Sequence, residues 1–171
     1  MVKTTYLQMF ARPARVVPPP RAGLAVVHAK KPPVDYYRFL YDAVGREYDW
    51  TSRRKLSDAE LAALLNDPRL EVHVLMVDGV PAGFAELDRR TEGEIELVQF
   101  GLIRDFIGQG LGKYFLQWTF PLSKSRRFVR GARRDDLGVN SLRSFSSAKW
   151  QTTELTPFTL DVACGGGRGT R

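Results

Sequence analysis

Three glycines at alternate positions, Gly108, Gly110 and Gly112, stand between a strand-like run and a helix-like run near the middle of the chain. Glycines in such a place leave backbone N–H groups bare of side chains, and the start of a helix favours negative charge. The stretch Ile107-Gly108-Gln109-Gly110-Leu111-Gly112 is therefore read as a cradle for an anion. The other reading is a turn that needs positive φ. Two common nucleotide motifs are excluded by the spacing. No Gly-Lys-Ser/Thr closes the loop as in a Walker motif, and a Rossmann fingerprint needs G-x-G-x-x-G.

The elements around these glycines must aim them. Upstream, residues 72–77 and 80–87 read as strands on either side of Asp78-Gly79, a strong hairpin signal. A turn at 89–93 then returns the chain into a third strand-like run over 92–103. Downstream, Leu111, Tyr114, Phe115 and Trp118 fall at i, i+3, i+4 and i+7, one apolar stripe of a helix. Nearer the N-terminus, residues 23–28 read as a strand. Asp35, after Pro32-Pro33, stands where it can cap a helix whose stripe is Tyr37, Leu40, Tyr41 and Val44 and which ends near Gly45. Ser57 and Glu60 form a capping box with Leu56 and Leu61 at the staple positions, and Asn66-Asp67-Pro68 ends that helix. Residues 1–23, rich in Pro and Arg, read as an extended or loosely attached arm. Past residue 120, residues 127–132 read as a strand and 139–149 as a poorly packed helix.

This order of antiparallel strands, glycine loop and helix resembles the GNAT superfamily of N-acetyltransferases. The family's loop is written Gln/Arg-x-x-Gly-x-Gly/Ala; Gly110-Leu111-Gly112 matches its Gly-x-Gly part, and Ile107 stands where the family has Gln or Arg. The resemblance covers about residues 70–120. Beyond it, Gly138, Ser141, Phe145, Lys149 and Trp150 stand where the family's last helix carries Asn, Ala, Tyr, Gly and Phe. The resemblance implies an α/β fold, a mixed, mainly antiparallel central sheet with helices on both faces. It places that domain at residues 24–150, between the arm 1–23 and a tail 151–171 that is disordered from about residue 163. It also implies acetyl-CoA as cosubstrate, with residues 107–112 (Ile107, Gly108, Gln109, Gly110, Leu111, Gly112) on the pyrophosphate. The backbone of Phe100, Gly101 and Leu102 would hold the pantetheine and thioester. The expected reaction is direct acetyl transfer to a primary amine of a small molecule or peptide, without a covalent enzyme intermediate; a homodimer is an open expectation.

Such a transfer needs a base for the amine proton and donors for the thioester carbonyl. Strand alternation puts Glu94 and Glu96 on one face with Val98 and Phe100, and apolar neighbours raise a carboxylate's pKa toward the range useful for a base. Glu96 is the candidate base and Glu86, on the preceding strand, the second. A solvated strand-edge carboxylate is the alternative for each. Phe145, where the family has the tyrosine that protonates the thiolate, has no proton to give, and Tyr114 sits on a packing stripe. His28 and His73 read as packed or edge residues, and their isolation leaves no expected metal site.

The chain has 171 residues, 43% of them hydrophobic, which suits one domain with a core. No apolar run reaches the roughly 18–20 residues that span a bilayer, and no signal-peptide pattern opens the chain, so a cytoplasmic protein without membrane contact is expected. A lone cysteine, Cys164, excludes an intrachain disulfide. The net charge is +7, and residues 121–171 carry 10 Lys and Arg against 4 Asp and Glu. A solvated basic face explains this better than nucleic-acid contact, because no RNA-binding signature accompanies it. Two rival functions stay open: a CoA-binding module without turnover, and a small basic nucleic-acid-binding protein. The shift in composition at residue 120 also leaves open whether residues 121–171 are a native, a diverged or a frame-shifted end.

Overall fold

The computed structural model describes residues 17–48 and 50–119 and the backbone of three further strands, Thr4–Met9, Arg127–Arg133 and Gln151–Thr153. In chain order the elements are β1 (Thr4–Met9), β2 (Leu24–Ala29), α1 (Val34–Gly45), α2 (Asp58–Asn66), β3 (Leu70–Val77), β4 (Val80–Asp88), β5 (Glu94–Leu102), α3 (Leu111–Thr119), β6 (Arg127–Arg133) and β7 (Gln151–Thr153). Short 3₁₀ turns occupy Arg46–Tyr48 and Arg104–Phe106. The strands form one sheet in the order β2-β3-β4-β5-β6-β1-β7. All described pairings are antiparallel except β5 with β6. The fold is α/β with helices on both faces of a mainly antiparallel sheet.

The β3–β4 turn follows from local chemistry. Asp78 and Gly79 hold φ of 49° and 83°, as a two-residue turn matched to the twist of a hairpin requires. The capping box of α2 forms: Ser57 Oγ accepts from the Glu60 N–H, and Glu60 Oε2 accepts from the Ser57 N–H at 2.8 Å. Leu56 and Leu61 join the same apolar cluster. At α1 the expectation fails in one detail. Pro33 holds the N-cap position with no side-chain cap bond, and Asp35 lies inside the first turn, where its charge still suits the helix dipole.

Two apolar clusters sandwich the sheet. Tyr37, Leu40, Tyr41 and Val44 of α1 and Leu61 and Leu65 of α2 pack on Val72, Val74 and Phe84. On the other face Leu111, Phe115 and Leu116 of α3 pack on Leu75, Leu87, Ile95, Leu97 and Phe100. The buried stripe of α3 is Leu111, Phe115, Leu116 and Thr119, so it is rotated from the expected one. Tyr114 and Trp118 flank it half-buried, with Trp118 against the ring of His73 at 5.2 Å.

The Pro/Arg-rich arm takes part in the fold. Thr4–Met9 is a strand paired with β6 along its whole length. Val17 donates its N–H to Gln117 Oε1 and accepts from Gln117 Nε2 at 3.4 Å, and Arg21 pairs with Asp78. The expected strand at 127–132 is β6. The expected helix at 139–149, with Phe145, and the tail from 163 lie outside the described residues. Among the described residues no helix is long and apolar enough to cross a membrane.

Candidate active site

The glycine loop is assembled by the end of β5. Ile103 donates its N–H to Ala82 O at 2.8 Å, the 3₁₀ turn at Arg104–Phe106 follows, and Gln109 Nε2 donates to Asp105 O at 2.9 Å. Gly108 and Gly110 take φ of 83° and 77°, where an L side chain is strained. Nothing lies within 4 Å of a Cβ built on Gly108, and on Gly110 only Pro20 Cβ at 3.6 Å comes close. Both glycines are therefore required by conformation, and neither by crowding. Gly112 is different: it has ordinary helical backbone, and a Cβ there would have room, meeting Leu102 Cδ1 at 3.7 Å. Folding makes no demand for glycine at this position. Buried Leu111 anchors the helix start, while residues 107–110 are exposed. The first N–H groups of α3, which have no partner within the helix, thus open on the solvent side of a bare loop.

Beside the loop, β5 and β6 part. Their pairing runs Glu94↔Arg127, Ile95↔Phe128 and Glu96↔Val129 and ends there, yet β5 continues to Leu102 and β6 to Arg133. Phe100, Gly101 and Leu102 lie on the part of β5 beyond this point. Gly101 has a packing reason for its bareness, since a Cβ would meet Val44 Cγ1 at 2.4 Å; α1 sits directly on it. A cavity of ≈ 300 Å³ lies between α1 and the loop, lined by Val44, Arg46, Tyr48, Leu102, Arg104 and Ile107 among others.

The carboxylates lie on the α1 face of the sheet. A bulge in β5 decides this: Glu86 faces Gln99 and Leu87 faces Leu97, so Val98 is the extra residue. Alternation restarts after it. Ile95, Leu97 and Phe100 all join the α3-side cluster, and Glu94 and Glu96 share a face with Gln99 instead of Phe100, contrary to the simple alternation. Glu96, opposite Asp88, keeps an exposed edge. Burial of its carboxyl and the Asp88 and Glu86 charges raise its pKa, against the pull of Arg53 and Arg90.

Glu86 has a different setting. It is fully buried, and it accepts from the Tyr37 hydroxyl and from Arg53, whose Nη2 and Nε reach both carboxylate oxygens. Burial and the Glu86 charge raise the Tyr37 pKa, and Glu86 raises that of Arg53 against the cost of its own burial. The Arg53 N–H bonds the Tyr41 hydroxyl at 3.3 Å, Tyr41 meets Ser52 Oγ at 3.2 Å, and Gln99 Nε2 donates to Ser52 Oγ at 3.5 Å. Sequence reasoning missed this network. Its one local signal was a tyrosine, Tyr37, in an apolar stripe, because a buried hydroxyl needs a partner. His73 is buried, with Nε2 3.0 Å from Glu71 Oε2 and its ring 4.6 Å from that of His28, away from these carboxylates on the α3 side. Among the described residues no three His, Cys, Asp or Glu side chains converge as a metal ion would require.

The model of the acetyltransferase (GNAT) family matches residues 37–135. Curated proteins provide no match to the sequence. Among solved structures, a functionally unknown conserved protein of Staphylococcus epidermidis superposes with TM-score 0.64 at 16% identity, covering 87% of this chain and 57% of that one. An aminoglycoside acetyltransferase from an uncultured soil metagenomic sample, in complex with sisomicin, gives TM-score 0.61 at 15% identity, with 78% of this chain and 95% of that one covered. An acetyltransferase of Salmonella typhimurium that modifies the N-terminal serine of ribosomal protein L7/L12 gives 0.55 at 17% identity, with 75% and 82% covered. At these identities the likeness is one of fold. The chain spans little more than half the length of the Staphylococcus protein.

Proposed function

The chain belongs to the GNAT family of acetyltransferases, and from that premise we propose that it transfers an acetyl group from acetyl-CoA to a primary amine in a direct ternary complex. The observation that carries this reading is the exposed glycine loop at the start of α3, set beside strands that part after Glu96. Bare amides at a helix N-terminus suit a pyrophosphate, and Gly112, which the fold does not require to be glycine, suits a ligand that comes close to the backbone. Residues 107–112 would hold the phosphates. The backbone of Phe100, Gly101 and Leu102 would hold the pantetheine where β6 has left β5. Arg46 and Arg104, on the cavity next to Ile107, bring positive charge to the side of the loop where Ile107 itself has none.

When bound, acetyl-CoA supplies an acetyl thioester, and the chain's own residues must orient it and move one proton. Glu96 takes that proton. It stands roughly 20 Å along β5 from Leu102 at 3.3 Å per residue, so the base and the phosphate cradle occupy opposite ends of the open stretch of strand. Its raised pKa makes it a stronger base than an ordinary carboxylate. Glu86, the second candidate, already accepts from Tyr37 and Arg53 and serves in position instead of in proton transfer. The acceptor is a small molecule or the amine of a peptide, as the aminoglycoside- and ribosomal-protein-modifying neighbours illustrate.

Native mass spectrometry with acetyl-CoA, combined with thiol release in the presence of primary amines, tests this reading. Binding with thiol release is the expected result. Binding without release from any amine would identify a CoA-binding module lacking turnover, and absence of binding would overturn both.

A further inference from the structure

The connection between α1 and α2 reaches the sheet through the Trp50 ring, which packs on Phe84, and through two polar neighbours, Ser52 and Arg53. Arg53 carries most of the charge in that contact. Its side chain is 16% exposed and that of Glu86 0%, and Tyr37 of α1 donates to the same carboxylate. A buried ion pair of this kind is a poor device for stability alone, since apolar residues of similar size often serve as well. What distinguishes it is its place. Glu86, Asp88 and Glu96 line one face of the β4–β5 pair, with Asp88 opposite Glu96 and Glu86 opposite Gln99 beyond the bulge. Asp88 is matched by Arg90 at 2.6 Å, and Glu86 is matched by Arg53.

We propose that Arg53, together with Tyr37, is a positioning residue for the reaction: it holds the α1–α2 connection against the sheet and neutralises the Glu86 carboxylate on the sheet face that Glu96 shares. The inference rests on the reading of Glu96 as the base. Among the described residues Asp88 and Glu86 from β4, Arg90 from the following turn and Arg53 from the connection act on Glu96, and Glu94 shares its face two residues away on β5. Arg53 pulls the Glu96 pKa down and Glu86 pushes it up, so the pair holds two opposed influences in balance. Loss of the guanidinium removes a cation that lowers the Glu96 pKa, and Glu96 then holds its proton to higher pH. Loss of the Glu86 charge alone leaves the guanidinium free to act on Glu96, which then gives up its proton at lower pH.

The experiment is a ¹³C NMR titration of the Glu96 carboxyl in the full-length protein, run beside the pH profile of kcat/KM, for Arg53→Met, Arg53→Lys and Glu86→Gln. Arg53→Met should raise the Glu96 midpoint by about one pH unit, Arg53→Lys should restore most of it, and Glu86→Gln should lower it. Melting curves and CoA affinity report on the fold. If Arg53→Met does not fold, Glu86→Gln decides the matter: its Glu96 midpoint must fall below that of the parent while Arg53→Lys stays close to the parent. A Glu96 midpoint that stays in place, or that moves the same way in Arg53→Met and Glu86→Gln, overturns the proposal. A midpoint that moves as expected while the rate profile does not follow supports the coupling and removes Glu96 as the base.

Discussion

Gly110 and Gly79 form a matched pair for separating fold from binding. Both have positive φ, 77° and 83°, and neither is crowded. Replacing either by Asp therefore costs a similar strain, about 1–2 kcal/mol. Only Gly110→Asp also puts a carboxylate at the mouth of the proposed phosphate site. Equal losses of melting temperature with a loss of acetyl-CoA affinity of at least about tenfold confined to Gly110→Asp are expected; equal losses of affinity would make the loop structural. Gly112→Ala is the complement. It has room in the structure and improves helix propensity by up to about 1 kcal/mol, so a more stable protein that binds CoA more weakly is the expected outcome. For Glu96→Gln, CoA affinity should persist, turnover should fall by about 10²-fold or more, and the acidic limb of the pH–rate profile should vanish. The stability sign is fixed by the same shift. A carboxyl whose folded pKa is raised stabilises the protein most below its unfolded pKa, and that contribution is lost as pH rises through the folded value. The Gln variant should therefore melt at or above the parent temperature at neutral pH.

At the scale of elements, the helix starts separate local from tertiary control. The α2 capping box is complete within four residues, so Ser57→Ala should cost about 1 kcal/mol and lower the melting temperature by roughly 2–4 °C, leaving CoA affinity unchanged; differential scanning calorimetry checks it. α1 begins without a side-chain cap and is held by Tyr37, Leu40, Tyr41 and Val44 against the sheet. Strand β5 shows the limit of periodicity. Period-two alternation placed Glu96 beside Phe100, and one extra residue, Val98, reversed the faces beyond it, as a single slip of register must. The raised pKa of Glu96 follows nonetheless, from partial burial and neighbouring carboxylates in place of the apolar neighbours that alternation suggested.

At the scale of the whole molecule, β6 joins the two ends of the sequence. It pairs in parallel with β5 on one side and antiparallel with β1 on the other. Removal of residues 121–171 leaves an open edge on both neighbours, and removal of residues 1–10 opens β6 itself, so each truncation should aggregate. Limited trypsin digestion of the full chain checks the same point. Protection of Arg127, Arg130 and Arg133 is the expected pattern, and a stable fragment ending near residue 127 would show that the C-terminal third lies outside the working domain.

The sequence by itself determined the features whose causes lie within a few residues. These are the Asp78-Gly79 turn, the Ser57–Glu60 box, the positive-φ glycines before α3, and the apolar side of α3 to within one position. Tertiary structure decided the rest. Arg53, Tyr37 and Glu86 are separated by 16 to 49 positions in the chain and meet only because α1 and its connection pack on β4. Gly101 is explained by Val44, 57 positions away. The parting of β5 and β6 depends on where a pairing stops, and no local pattern encodes that. Backbone propensity and side-chain period act over one or two turns, whereas the charge state of a carboxylate and the opening of a sheet are set by whichever distant groups the packed core brings into contact.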